Sequence, residues 1–366
     1  MNIKFKKTPA QVELIKAIGS RDPAVSRPAM EMFAAFLGPI VSKVLTQAGS
    51  ASMVYKDESY DEDDSPSIPL DLYADKAENH VQVWQQNAAG GLPTSLVTGF
   101  QEMKLSTYTL DSAVSFLKKY ARKARLGVLE AAIKRMTQEV LVKQERNAWA
   151  VLLKALAEAS TNTLSHIITA NSTFFQLDDL NKLFTRIRRI NTSFLGSAGG
   201  TPADFDSRGL TDLFLSPEQK EAVRAFAYQP MNTRAVPNTD ESTAVPLPDS
   251  IREQIFRNAG AEELYGVSLH ELLELGTTRR YTVLFDTYYT STFNSATDDL
   301  IVGVDLTRDS CIRPVATNAD TGATFQVQPD DQFLVRQDKS GWYGNLEEGR
   351  IVVDARALVG IRIANA

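Results

Sequence analysis

From Leu126 to Asn162 the chain contains no proline and a single glycine, Gly127. Within that span Leu126, Leu129, Ile133, Met136 and Val140 advance by alternating steps of three and four residues, and Trp149, Leu152, Leu153 and Leu156 extend the apolar stripe. That is the period of one buried helix face. Glu130, Lys134, Glu139, Lys143 and Glu145 fill the other faces. A helix from Leu126 to Ala159 is on the order of 50 Å long. A coiled coil would hold its seam over several heptads, but here the stripe drifts after Val140. The spacing therefore predicts one long spine packed on a sheet.

The chain has 366 residues, enough for two to three domain-sized units with substantial cores. Hydrophobic residues make up 43% and charged residues 23%, which excludes global disorder. The net charge of -6 argues against a dedicated nucleic-acid binder, which carries a basic excess, although an acidic wall can still enclose DNA. The longest apolar run, around Val41 to Leu45, is interrupted by Lys43 and Gln47, so no membrane span is expected. No apolar segment follows the basic Met1 to Lys7, so no signal peptide is expected. Cys311 is the only cysteine, which leaves no intrachain disulfide and suits a reducing interior such as bacterial cytoplasm.

Catalytic readings find little support. His80, His166 and His270 are widely spaced, and no local cluster supplies the roughly four ligands of a zinc site. No phosphate loop, dinucleotide fingerprint or nucleophile elbow occurs. The stretch Gly196 to Pro202 lacks the Lys-Ser/Thr of a phosphate loop and reads as a flexible connection. The acidic run Asp57 to Asp64 lacks the glycine and glutamate of a calcium loop and reads as a solvated loop. Asp204 and Asp206, with the proline-rich span 229–250, are the carboxylates an α/β enzyme would use, but no base, nucleophile or cofactor motif joins them. No catalytic, cofactor or metal site is expected.

Residues 1–50 read as helical pieces. Thr8 caps the first with Pro9 at its first position, and Gly19-Ser20 ends it. A second runs from Pro28 to Leu37, and Gly38-Pro39 breaks it before a third. These pieces are too small for a core of their own and suit an arm on neighbouring subunits, or a lid on the same chain. Beyond the acidic run, Ile68, Leu70 and Leu72, then Val81 and Val83, then Leu96 to Leu105 read as a long two- or three-stranded excursion. An isolated ribbon is marginal in water, so it must lie on something. Trp84, Phe100 and Tyr108 are its expected contacts between subunits.

Lys118, Lys119, Arg122, Lys123 and Arg125 form the densest basic cluster. It faces either DNA, an acidic partner or plain solvent. Arg186, Arg188 and Arg189 form a smaller one on a helical pattern. From 175 to 305 helices and strands alternate: a strand at Leu210 to Leu215, a helix capped by Ser216 with Pro217 at its start, a short helix at Ile251 to Phe256, and strands at Tyr265 to Leu269 and Tyr281 to Phe285. Leu300 to Val304, Phe333 to Val335, Trp342 to Gly344, Ile351 to Val353 and Ala357 to Ile363 read as closing strands.

This order of parts resembles the α+β Hong Kong-ninety-seven-like major capsid fold shared by tailed phages, encapsulins and the herpesvirus shell floor. Local texture is similar too. Leu215-Ser216-Pro217-Glu218 looks like that family's step from strand to helix, and Tyr265-Gly266-Val267-Ser268-Leu269 looks like its G-V-P-V stretch, with Ser268 where proline is common. Ser340 to Gly344 and Gly349 to Ile361 are similar to its closing strands. The resemblance implies an N-arm at 1–52, an extended E-loop hairpin at 53–108, a peripheral (P) domain at 109–174 and 306–366 with its spine helix at 126–159, and a mixed α/β axial (A) domain at 175–305. It implies a major capsid protein that self-assembles into the hexamers and pentamers of an icosahedral head around double-stranded DNA, located in the virion capsid and assembled in the host bacterial cytoplasm. The implied partners are copies of the chain, a portal protein, a separate scaffolding protein, a decoration or cement protein, and DNA by nonspecific contact, with no membrane. Lys76 and Asn345 stand where some relatives form a covalent crosslink, but by position alone. An encapsulin-type compartment is the alternative within the fold, and an α/β enzyme the alternative outside it.

Overall fold

The computed structural model of the chain describes residues 8–69, 102–123, 125–159, 165–193, 209–226, 231–232, 244–245, 248–257, 263–289, 292–318, 322–330 and 338–364. In chain order the elements are α1 (Pro9–Ile18), α2 (Pro23–Gln47), α3 (Ala51–Val54), β1 (Lys56–Asp61), β2 (Ser67–Pro69), β3 (Glu102–Lys104), β4 (Thr107–Leu117), α4 (Lys118–Arg122) and α5 (Leu126–Ala159). There follow β5 (Ile167–Thr169), α6 (Leu177–Ser193), β6 (Asp212–Leu215), α7 (Pro217–Ala225), β7 (Met231–Asn232), β8 (Ala244–Val245), α8 (Asp249–Arg257), β9 (Glu263–Leu264), β10 (Val267–Glu271) and α9 (Arg280–Tyr288). The last are β11 (Asp299–Val304), β12 (Cys311–Thr317), β13 (Gln326–Asp330), β14 (Lys339–Gly349), β15 (Ile351–Val352) and β16 (Leu358–Ile363). They divide into two units, Met1–Ile68, Met103–Ala148 and Ile312–Ile351 against Pro69–Glu102, Trp149–Cys311 and Val352–Ala366. The expected spine is present as α5, and the division falls within it.

The first unit is built on β14. Its whole length pairs antiparallel with β4, from Lys339 opposite Leu117 to Gly349 opposite Thr107. On its other side lie β13 and β12, and β1 runs parallel to β12 at the sheet edge. Side chains alternate across a strand, so Ser340, Trp342, Leu346 and Glu348 all point into the buried side. Trp342 is held between Phe33, 5.0 Å away, and Phe116, 5.2 Å away. Leu129, Ile133, Met136 and Val140 of α5 close this core together with Ile18, Met30, Leu37 and Val41.

The N-terminal segment departs from the expected pieces. Pro23 to Gln47 is one helix with Pro28 and Pro39 inside it. Each interior proline costs about 3 kcal/mol. Met30, Phe33, Leu37, Val41 and Leu45 straddle Pro39 and are all buried in one core, and each large apolar side chain contributes about 1.5–3 kcal/mol on burial, so packing outweighs the breakers. The same helix corrects the expectation that nothing is apolar enough to span a bilayer. By length and composition Pro23–Leu45 qualifies, yet its inner face lies in the protein core.

A second correction concerns the acidic run. Its first half is β1, in register with Ile312 to Thr317, and only Glu62 to Asp64 form a turn. The strand is held by its backbone ladder to β12, and across that register Asp57 lies 3.2 Å from the Arg313 guanidinium. Beyond it β2 and β3 pair as a two-stranded stem. The ribbon expected between them, with Trp84, Phe100 and Lys76, lies outside the described residues, as do the loop at 196–202, His80, Asp204, Asp206 and the strand expected at Phe333 to Val335.

The second unit is a six-stranded sheet in the order β5-β16-β11-β6-β10-β9. The two central strands, β11 and β6, are covered on each face, which explains why every residue in them is buried. One face carries α6, α7 and α8 through Leu183, Ile187, Val223 and Ile255. Against the other, Trp149 of α5 meets Phe214 edge-on at 5.0 Å and stacks on Tyr281 at 5.7 Å. Tyr281 to Phe285 is therefore helical in α9, not the expected strand: Tyr281, Thr282 and Phe285 are its buried positions, a helical spacing. Tyr265-Gly266 likewise form the turn between β9 and β10, and both have positive φ. Ser216 caps α7 as expected, accepting from the Gln219 amide at 3.3 Å. The closing strands, grouped together by the sequence reading, divide between the sheets, β14 into the first and β16 into the second.

Candidate assembly site

Among the described residues, His166, His270, Asp299 and Cys311 are held by internal contacts or buried. Nδ1 of His166 lies 2.8 Å from the Leu358 carbonyl, and burial holds its pKa below the ordinary histidine range. Nε2 of His270 lies 2.7 Å from Asp212 Oδ1, and the imidazole stacks on Phe214 across the β6–β10 ladder. Asp299, buried, accepts from Ser216 behind the α7 cap, and burial pushes its carboxyl up. Among the described residues no group of three or more His, Cys, Asp or Glu could hold a metal ion. Cys311 is buried, and desolvation pushes its thiol up to about 12. Since the thiolate is the reactive form, iodoacetamide is expected to leave the native protein unlabelled at neutral pH and to label it fully in denaturant, as read by intact mass.

The most heavily engaged polar group is Glu348, near the end of β14, and the sequence reading missed it. It is fully buried. Its Oε2 accepts from Arg313 Nε at 2.8 Å, Gln144 Nε2 at 2.9 Å and Arg350 Nη2 at 3.3 Å, while Oε1 accepts from the Tyr108 hydroxyl at 2.8 Å. Arg313 also reaches Asp57, so two guanidiniums balance two carboxylates. The geometry follows from the elements. Glu348 pairs directly with Tyr108 in register, Val315 stands opposite Glu348 on β12, and Gln144 continues the buried stripe of α5. Beside it, Tyr60 and Thr107 both donate to Glu347, at 3.0 and 2.7 Å. Burial first, and the adjoining carboxylates after it, push the phenols of Tyr108 and Tyr60 up to about 12, so both remain donors. The cluster ties β1, β4, β12, β14 and α5 together where the chain departs into 70–101. Arg313 inside the otherwise apolar run Cys311-Ile312-Arg313-Pro314-Val315 was the signal that could have revealed it.

The basic cluster is not one face. Lys118 is buried, its Nζ 3.5 Å from the Ser20 carbonyl, which removes it from the outward-facing set. Arg122 donates to the Gly19 carbonyl at 2.8 Å and to Asp338 at 2.7 Å. Lys119, Lys123 and Arg125 are exposed, and Lys119 and Arg125 lie over the Tyr120 ring at 5.2 and 6.0 Å. Arg186, Arg188 and Arg189 stand on α6 as the helical pattern predicts.

One surface stands out for its apolar character. On α2, opposite the buried stripe, Val25 is 47% exposed, Met32 65% and Phe36 49%. Steps of seven and four residues set them along one side of the helix.

No protein-family model matches the chain, and no curated protein sequence does. Among solved structures, the chain is similar to one of Microbacterium phage Oxtober96, at 12% identity and a TM-score of 0.48, over 87% of this chain and 91% of that one. It is similar to the cyanophage Pam1 capsid asymmetric unit at 10% identity and a TM-score of 0.48, over 88% and 93%. It is also similar to the holo-SrpI encapsulin complex from Synechococcus elongatus PCC 7942, at 11% identity and a TM-score of 0.38, over 72% and 76%. Phage capsid structures, with an encapsulin beside them, are thus what this chain is similar to.

Proposed function

We propose that this chain is the major capsid protein of a tailed bacteriophage, a subunit that closes into a shell with copies of itself. The observation that carries the reading is the outer face of α2. A helix apolar on both sides, with one side in the core and Val25, Met32 and Phe36 in water, has burial left to gain from a neighbour. The order of parts supports the kind of shell: N-terminal helices, a stem that carries the chain away from and back to its sheet, a spine of 34 residues, then a second sheet. In this reading 53–108 is the E-loop, whose outer part 70–101 crosses to a neighbouring subunit, and 1–52 is the N-arm, whose helices pack on their own sheet and offer the outer face of α2 to a neighbour. The first unit is peripheral and most of the second axial. Pentamers and hexamers form a closed icosahedral head around double-stranded DNA, inside the host cytoplasm, with portal and scaffolding proteins as partners. Many weak contacts repeated around a closed surface then act together.

The test removes the ribbon and spares the fold. β1 is part of the first sheet and β2 and β3 form the stem, so the replacement is limited to 70–101, with a short Gly-Ser linker in its place. Soluble, folded subunits without particles in electron micrographs are expected; normal particles from that variant would refute the proposal. The nucleic-acid content of wild-type particles separates a DNA-filled head from an encapsulin-type compartment.

A further inference from the structure

Resting on the shell reading above, we infer that the basic corner formed by Lys119, Lys123 and Arg125 is a docking surface for the acidic edge of a second copy of this chain, β1 and its following turn. Within one subunit these three cations are exposed, and Lys119 and Arg125 lie over the Tyr120 ring. A matching set of anions lies at the far edge of the same sheet. Glu58, Asp61 and Asp63 are exposed and make no ion pair among the described residues. Glu62 and Asp64 are partly occupied, Glu62 by Asn318 and Gln326 and Asp64 by the Ser65 amide.

The two patches are not partners within one chain. α4 follows Leu117, which is level with Lys339, whereas Asp61 lies two residues past Ser59, whose partner Val315 is level with Glu348. The separation along the strands is on the order of 20 Å, beyond direct pairing and well past a Debye length at physiological salt. Each copy therefore offers one unmatched positive and one unmatched negative surface, the requirement for a heterologous contact that repeats from copy to copy.

The sheet edge strengthens the case. Among the described residues β1 pairs with β12 on one side only, and its other edge carries open backbone groups. Its acidic side chains repel a second acidic edge and favour a cationic partner. DNA is the weaker fit for the corner. Three cations with Asp338 beside them form a spot rather than a stripe, and nonspecific DNA binding draws on many phosphate contacts at once.

The test is charge reversal with exchange, in the full-length chain expressed in bacteria. One variant carries Lys119→Glu, Lys123→Glu and Arg125→Glu; the other carries Glu58→Lys, Asp61→Lys and Asp63→Lys. Each alone is expected to fold, by circular dichroism, and to give at least about tenfold fewer particles than wild type. One chain that carries all six substitutions exchanges the charges at every contact and is expected to restore the yield to within about twofold. Wild-type yield from either variant alone overturns the inference while leaving the shell reading intact. So does failure of the folded six-substitution chain to recover particles. Normal particles that have lost nucleic acid assign the corner to DNA instead. Should reversal unfold the protein, Lys123→Gln and Asp61→Asn replace it, and particle yield that does not fall with rising NaCl in wild type then counts against the contact. If wild type itself forms no particles, the shell reading fails, and the inference falls with it.

Discussion

Replacing Glu348 with alanine is expected to destabilise the first unit by about 3–5 kcal/mol, because it leaves two buried guanidiniums without their shared anion. Arg313 is 3% exposed at its side chain and Arg350 4%, so water cannot substitute for the lost carboxylate. Arg313→Ala is expected to cost a similar amount by stranding Glu348. Glu348→Gln keeps the shape and some acceptor capacity and should lie between alanine and wild type. The comparison is with Asp111→Ala, which removes the surface hydrogen bond from Tyr343 and should change stability little. Urea unfolding of the four variants and the wild type measures this directly. An alanine variant as stable as wild type would mean that the charges at Glu348 do not hold this end of the sheet. Because that cluster joins β1, β4, β12 and β14, its loss should also loosen this end of the sheet first, seen as early hydrogen exchange in β1 and β4.

The second large effect separates the two sides of α2. Met32→Asp with Phe36→Asp is expected to leave unfolding unchanged within about 0.5 kcal/mol and to raise the concentration needed for particle formation by more than about tenfold, since apolar anchors dominate interface energies. Phe33→Ala, one residue away but against Trp342 in the core, should do the opposite, with a loss of about 3–5 kcal/mol in stability. Paired measurements of unfolding and of light scattering resolve the two. Equal assembly by the doubly charged variant would show that this face is solvated in the particle.

The α+β class and the order of parts were legible in the sequence because they rest on long signals. The 34-residue spine, the Ser216-Pro217 helix start and the apolar closing strands each obey one dominant period or cap. What was not legible depended on partners distant in sequence. Pro28 and Pro39 signal breaks locally, and only the shared core around Phe33 and Leu37 overrides them. Tyr281 to Phe285 has strand-forming residue types, yet Trp149 fixes it as helix. The acidic run looks like a loop until β12, more than 250 positions later, is set beside it with Arg313 opposite Asp57. Of the candidate site residues, Tyr108 lies at the charge cluster with its hydroxyl on Glu348, and Lys118 is turned inward. Glu348 itself carried no signal, because a glutamate at an inward strand position is recognisable only once its cations are in place.

The central claim is that copies of the chain complete one another. The most direct test is the mass of the purified wild-type protein, by native mass spectrometry or analytical ultracentrifugation at physiological salt. A closed particle in the megadalton range is the predicted result, and a stable, fully folded species of 40.4 kDa at all concentrations would contradict it.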